Sequence, residues 1–512
     1  MEQNYILALL IFIICAAVVG RFQRGYPLPP GPKSLPIIGN LHQIPRKDPY
    51  KVYRDWSEVY GPVIYMRVFG RNFVILNSLK AISDLFEKRS VKYSTRPNSV
   101  MGGMLVGREQ TAIIFMKYGP KWKQTRQLIH GWMSQRALDR YIPMQSLASY
   151  HLLQNLLEDP DHFADHIRNS AGSIILKLTY GLDCKRFNDP WIAMSEEVQR
   201  ITAIATEPGR WLVDSFPWLR FVPSFLPGAG FLRWAKESRK VAYQLVRSPF
   251  DKVKQDLRDG VASSSFVLEQ LLQDSGSLKS PEEEEALICA AGSLYAAGID
   301  TIVSTMRMLF YIMARYPEIQ RIAQEEIDTV IGSHRLATIQ DRESLPYIGY
   351  LIKELFRFNA VAHLVPHSLD EDDIYEGYII PRGTWVIANI WAVLHDASTY
   401  KDPEKFNPER FNPSGNGEMD PTYVAFCVGL GRRFCPAYHF SQTTIFLNVT
   451  HILSVFNILP PANSNGEDCL PAMEFDVGHI RALRPFNCRV IPRSRDHEEL
   501  VNHATTMSET SY

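Results

Sequence analysis

The sequence predicts a mostly α-helical protein with a small β region and an N-terminal transmembrane helix. Three observations carry that reading. A helical pattern runs without a breaker from Pro281 to about Arg315. Strand-like alternation is strong in only two places, VIYMRVFGRNFVILN at 63–77 and TWVIANIW at 384–391. An uncharged apolar run, YILALLIFIICAAVVG, fills residues 5–20.

At about 1.5 Å per residue, that run extended to Phe22 covers most of a roughly 30 Å hydrocarbon layer. The alternative is a cleaved signal peptide. Glu2 precedes the run and Arg21 and Arg24 follow it, which reverses a signal peptide's polarity. The positive-inside rule then puts the rest of the chain in the cytosol, and residues 1–24 read as a retained single-pass anchor. Residues 25–40 read as a proline-rich hinge: Pro27, Pro29, Pro30, Pro32 and Pro36 cannot continue a helix and stiffen the connection. An ordinary linker would look the same.

Residues 63–77 alternate around Gly70 as a β-hairpin. Ser263 to Ser280 reads as a loop. The long helix then opens with Ser280 as N-cap, Pro281 at the first helical position and Glu282 to Glu285 near the positive end of the helix dipole. Pro317 restarts a further helix, residues 345–358 form another, and 384–391 is a strand. The polar tail 493–512 reads as frayed. No repeat or internal boundary divides 41–492, which is taken as one catalytic domain.

Lys plus Arg and Asp plus Glu both number 55, so the formal net charge is zero. That balance lacks the basic excess expected of a nucleic-acid partner. The seven cysteines are odd in number and scattered, with no C-x-x-C pair, which argues against a secreted disulfide framework and for a reducing compartment.

The most specific segment is AFCVGLGRRFCPA, residues 425–437. Gly429 and Gly431 allow a tight turn with N–H groups aimed at an anion. Arg433 adds positive charge near Cys435, and TTIFLNVTHIL beyond it is helical, so the sulfur lies near a helix N-terminus. All these features favour a thiolate. Two other readings stay open: a buried structural cysteine, and a zinc site from Cys427, Cys435 and His439, although the usual C-x-x-C half is missing.

This segment resembles the haem loop of the cytochrome P-450 superfamily, F-x-x-G-x-R-x-C-x-G. Gly431, Arg433 and Cys435 match, while Val428 and Ala437 replace the Phe and the final Gly. Other segments agree in family order. Glu354 and Arg357 fit E-x-x-R and Arg410 lies in P-E-R-F; the resemblance implies a Glu354–Arg357–Arg410 brace behind the haem, where residue spacing alone would give only a surface ion pair. YGPKWKQTRQ resembles W-x-x-x-R, so Trp122 and Arg126 are implied propionate contacts, with His367 and Arg433 completing the set. AAGIDT, 296–301, resembles the oxygen-activation motif, with Asp300 and Thr301 as the implied proton relay. Gly298 costs a helix about 1 kcal/mol relative to Ala, and close approach of something flat would explain it.

The resemblance covers the chain from the hinge to about Pro492. It implies the cytochrome P-450 fold, with haem b held between the long helix and Cys435 as axial iron ligand. It implies a monooxygenase that inserts one oxygen of O2 into a C–H bond, since thiolate ligation favours O–O cleavage. Electrons would come from NADPH through a separate NADPH–cytochrome reductase, with Lys121 and Lys123 as docking candidates or a merely solvated face. The membrane would be the endoplasmic reticulum. Detail in 372–396 is similar to fungal members that act on small lipophilic secondary metabolites. Substrate contacts are expected from 96–115, the long helix before Asp300, 361–365 and 476–484. The rivals are a haem-thiolate isomerase or dehydratase needing no external electrons, and a non-enzymatic haem or zinc protein.

Overall fold

The computed structural model describes residues 26–45, 47–272, 280–415, 417–426, 431–463, 466–476 and 478–509. The anchor read at 1–24, and Cys427, Val428 and Gly429, lie outside the described residues.

Helices make up most of the molecule, and their order along the chain explains the site. The first, α1 (Pro49–Tyr60), leads into β1 (Val63–Val68) and β2 (Arg71–Leu76). These strands pair antiparallel from Val63↔Leu76 to Val68↔Arg71, across a two-residue turn in which Phe69 and Gly70 both have positive φ. That is the turn whose twist suits a hairpin. Then follow α2 (Pro120–Met133), α3 (Ile142–Glu158), α4 (Phe163–Tyr180), α5 (Pro190–Thr206), α6 (Gly230–Arg258) and α7 (Phe266–Leu272). The centre is α8 (Pro281–Arg315), followed by α9 (Pro317–Val330) and α10 (Pro346–Phe358). Four short strands come next, β3 (Leu364–Ser368), β4 (Asp373–Tyr375), β5 (Tyr378–Ile380) and β6 (Trp385–Asn389). The chain closes with α11 (Tyr438–Val455), β7 (Phe456–Leu459), β8 (Arg489–Pro492) and α12 (Arg495–Glu509).

The start of α8 follows from a reciprocal cap. Ser280 Oγ accepts from the Glu283 N–H at 3.2 Å, and the Glu283 carboxylate accepts from the Ser280 N–H at 2.9 Å. At 35 residues the helix is about 52 Å long, enough to cross the whole molecule. It packs on α2, α4, α6 and α11 and is buried over most of its length from Ala286 to Ala314. Among the described residues it alone is long and apolar enough to cross a bilayer, and its burial marks it as the core helix instead.

The main sheet has the order β1-β2-β6-β3, with β2 and β6 parallel. The strand expected over 384–391 stops at Asn389. Its side-chain oxygen accepts from the Ala392 N–H at 3.1 Å and caps the short helix Ile390–Leu394. Trp391 thereby turns inward, against Tyr50 and His395.

Two stretches expected to be loops contain helices. Within 263–280, α7 buries Phe266, Val267 and Leu268, with Phe266 against Trp132. The tail contains α12, which lays buried Leu500 and Val501 against α3. A few apolar residues at helical spacing sufficed, because α3 offers them a complementary surface.

Candidate active site

The loop before α11 is shaped by close backbone packing. Gly431 has φ +70°, and a Cβ there would stand 2.5 Å from the Phe86 carbonyl oxygen. Only glycine fits both restrictions. From this turn the Arg433 side chain runs inward, and Nε, Nη1 and Nη2 donate to the carbonyls of Ser94, Ile113 and Met116 at 2.8, 3.1 and 2.7 Å. Its guanidinium lies 4.5 Å from the centre of the Trp122 ring. Trp122 is thus a platform for Arg433. One turn along α2, Arg126 Nη2 donates to the Phe434 carbonyl at 2.6 Å and so holds the residue beside Cys435.

Cys435 lies just before Ala437, the N-cap of α11. Burial raises the thiol pKa, against the lowering effects of the Ala437 N–H and Arg126. The expectation that the local features favour a thiolate is therefore corrected for the protein alone: desolvation outweighs the helix end and the nearby cation. A metal cation reverses this balance, since a coordinating thiol is deprotonated outright.

Positive charge accumulates around this loop. Burial, then Arg96 and Arg126, pull Arg433 down to about 8, and burial pulls Arg96 down to about 9. Among the described residues, no Asp or Glu side chain pairs with Arg126 or Arg433. His367 stacks on Phe86 with ring centres 4.0 Å apart, and its Nδ1–H donates to the Tyr93 carbonyl at 2.7 Å. Its Nε2 is buried without a partner. Burial and the neighbouring Arg96 and Arg433 hold the ring neutral. Uncompensated buried cations are costly. Two incoming carboxylates would relieve them and give Nε2 a partner as the imidazolium, so these residues fit a haem with its two propionates. Arg96 escaped assignment to this set from sequence, although it is the only charged residue between Lys92 and Arg108.

On α8, Ala297 is exposed at the step that carries the AAGIDT segment. A Cβ on Gly298 would stand 2.6 Å from Ile175 Cδ1 of α4. The close approach that explains this glycine is thus a neighbouring helix, not a flat ligand. Thr301 Oγ1 donates to the Ala297 carbonyl at 2.9 Å. Asp300 Oδ1 accepts from Arg168 Nη1 at 2.8 Å, and Oδ2 is buried without a partner.

Behind the loop, Glu354, Arg357 and Arg410 meet with side chains at most 2% exposed. Arg357 grips Glu354 through two bonds of 2.7 and 2.8 Å, and Arg410 Nε adds a third at 3.1 Å. Spacing alone would have left this a surface pair; burial makes it a brace.

The expected substrate segments also converge. The π-helical turn Val100–Leu105 packs on α5, with Gly102 against Thr206. Gly478 packs against Ala203, also on α5, while the Arg481 N–H donates to the Val361 carbonyl at 2.9 Å.

A family model described as cytochrome P450 matches residues 29–480. The chain is a cytochrome P450. This P450 is 40% identical over 489 residues to cytochrome P450 monooxygenase COX2 of Coprinopsis cinerea, covering 94% of this chain and 92% of that one. Cytochrome P450 monooxygenase claR of Ampulloclitocybe clavipes is 36% identical, with 96% and 91% covered. Tryptamine 4-monooxygenase of Psilocybe cyanescens is 35% identical, with 96% and 98% covered. The protein is thus a haem-dependent monooxygenase, an oxidoreductase that incorporates oxygen from O2 and draws electrons from a reductase partner. Its P450 loop departs from the usual final Gly at Ala437, which has φ −94° and needs no glycine.

Proposed function

We propose that this P450 hydroxylates a C–H bond of a small lipophilic secondary metabolite, and that the Cys435 sulfur would hold the haem iron. The observation that carries the reading is the cation cluster around the Cys435 loop. Trp122, Arg126, His367 and Arg433 would hold the haem propionates, with Arg96 as an additional contact. When bound, the haem supplies oxygen activation with electrons passed from NADPH. Thr301 moves a proton at Oγ1 after releasing the Ala297 carbonyl, and Asp300 replenishes it once it leaves Arg168. The Glu354–Arg357–Arg410 brace keeps the haem-side loops fixed.

The relatives' names support a secondary-metabolite role, one of them naming tryptamine as its substrate. The intact Asp300–Thr301 pair favours a monooxygenase over an isomerase or dehydratase that needs no external electrons. Lys121 and Lys123 project from the exposed face of α2 and suit the acidic surface of an NADPH–cytochrome reductase. Residues 1–24 serve as a single-pass anchor in the endoplasmic reticulum membrane, with the catalytic domain cytosolic. The exposed Leu212, Trp218, Phe221 and Phe225 support membrane contact, and Phe216 of the same segment meets Phe69 of the hairpin turn beside the hinge.

The test is the carbon monoxide difference spectrum of the reduced protein. Wild type should show the strongly red-shifted band of thiolate-ligated haem, and Cys435→Ser should lose it. Cys427→Ser should keep it. A normal band in Cys435→Ser would exclude Cys435 as the ligand. Deleting residues 1–24 should weaken membrane association while preserving the band.

A further inference from the structure

A second buried arginine takes no part in the haem cradle. Arg108 opens the helical turn Arg108–Thr111 and is 2% exposed. Its Nη1 donates to Thr111 Oγ1 at 2.9 Å, its guanidinium lies 5.8 Å from the Phe115 ring centre, and its Nε has no partner. Among the described residues no Asp or Glu pairs with it, and burial pulls it down to about 10. Glu109, next in the chain, turns towards Gly103 instead.

His479 arrives from the far end of the chain. The residue is half-buried, its Nδ1 is buried without a partner, and desolvation, then the positive charge of Arg108, pulls it down to about 4. The surroundings fix where both segments lie. The Arg108 turn packs on α8 and α6, and the Ile113 N–H just beyond it donates to Ser293 Oγ of α8 at 2.9 Å. The His479 loop touches α5 through Gly478 and holds residue 361 through Arg481. Val100, Met101 and Val106 line the same region with Ile201 and Ala205 of α5. The Arg108 turn and the His479 loop therefore both border segments that the proposed function gives to substrate.

We propose that Arg108, with His479 as a second donor, is a carboxylate-recognition site bordering the substrate-binding segments, so that this P450 takes a lipophilic acid. The guanidinium fork matches a carboxylate bidentately. A desolvated cation without an acid of its own gains most from an anion brought by the ligand. Neutral His479 can donate one further hydrogen bond to the acid's second oxygen. A site built to pair one group rejects the analogue that lacks it.

The inference rests on the proposed function, and the test separates the two. Full-length, haem-loaded enzyme is titrated calorimetrically with dodecanoate, methyl dodecanoate and dodecylamine. Wild type should bind dodecanoate at least about tenfold more tightly than its ester, the scale of a hydrogen bond to a charged group, and should bind the amine most weakly. Arg108→Leu should bring acid and ester within about twofold while leaving ester affinity unchanged. Arg108→Gln, which retains a donor for Thr111, should do the same, and His479→Phe should fall between. Should the leucine variant fail to fold, the glutamine variant decides between the outcomes. An equal affinity for acid and ester in wild type, or an unchanged preference in both Arg108 variants, would overturn the proposal. A normal carbon monoxide band in those preparations confines that failure to the carboxylate site, whereas its absence from wild type overturns the haem reading and this one with it.

Discussion

Arg168 of α4 holds Asp300 of α8 at 2.8 Å through Nη1, while its Nε binds Glu196 of α5 at 2.8 Å. One guanidinium thus ties the acid beside Thr301 to two other helices. Asp300 is parked away from the Thr301 hydroxyl, which is itself bonded to Ala297. The proposed relay then requires both groups to leave their resting partners.

That arrangement separates the roles of the two residues. Thr301→Ala should still bind haem and consume NADPH, but divert much of the flux to hydrogen peroxide, because Ile302 offers no replacement hydroxyl. Asp300→Asn should slow turnover roughly a hundredfold, the low end of general acid–base effects, with coupling largely retained. Arg168→Gln should not slow turnover in this way, because it frees the parked acid. Product and peroxide per NADPH oxidised are the measurements, and unchanged coupling in Thr301→Ala would remove Thr301 from the relay.

The brace predicts a stability effect distinct from catalysis. Glu354→Gln leaves Arg357 and Arg410 buried without their shared anion, a change that costs roughly 3–5 kcal/mol. Urea unfolding should show that loss, with a lower yield of haem-loaded protein. A change below about 1 kcal/mol would reduce the cluster to the weight of a surface pair.

Gly298 predicts a coupling between α8 and α4. Gly298→Ala forces its methyl against Ile175, an overpacking of about 1–3 kcal/mol, partly offset by better helix propensity. Adding Ile175→Ala opens the space, so a double-mutant cycle should give an interaction energy of about 1 kcal/mol or more. Additive effects would show that the glycine serves some other neighbour.

Acid stability should report the buried histidines. His451 Nε2–H donates to the Ala337 carbonyl at 2.8 Å and its Nδ1 accepts from Ser149 Oγ at 2.9 Å, and burial pushes it down to about 4. The unfolded chain protonates near 6.5, so it takes up the proton first as pH falls. Stability is full above about 6.5, declines down to about 4, and levels off once the folded ring also protonates. The melting temperature should therefore fall across this window, and His451→Gln should flatten the slope. An identical slope in the variant would assign the acid sensitivity to other groups, of which His363 and His479 are the nearest in kind.

What the sequence revealed and what it concealed differ by the distance over which each feature is determined. The start of α8 was legible because Ser280, Pro281 and Glu283 cap it locally. The hairpin was legible from alternation around Gly70. The buried Glu354–Arg357–Arg410 brace was legible through family motifs. By contrast, α12 depends on a surface that α3 provides, and the reason for Gly298 lies on α4 at Ile175. Arg168 carries no local sign that it will meet Asp300. Strands of three to five residues such as β3, β4 and β5 exist mainly through their pairing.

The main chain at Ile113 gives its N–H to Ser293 of α8 and its carbonyl to Arg433 of the cysteine loop. The segment proposed to meet substrate and the cysteine loop therefore share a single peptide-level hinge pin. These main-chain bonds constrain the spacing of this segment more directly than they constrain its side chains. A one-residue insertion between Ser94, which also receives Arg433, and Ile113 would pull the two acceptors out of register. New specificities in this lineage should accordingly arise by residue replacement at constant loop length, and loop grafts from relatives of different length should yield colourless protein.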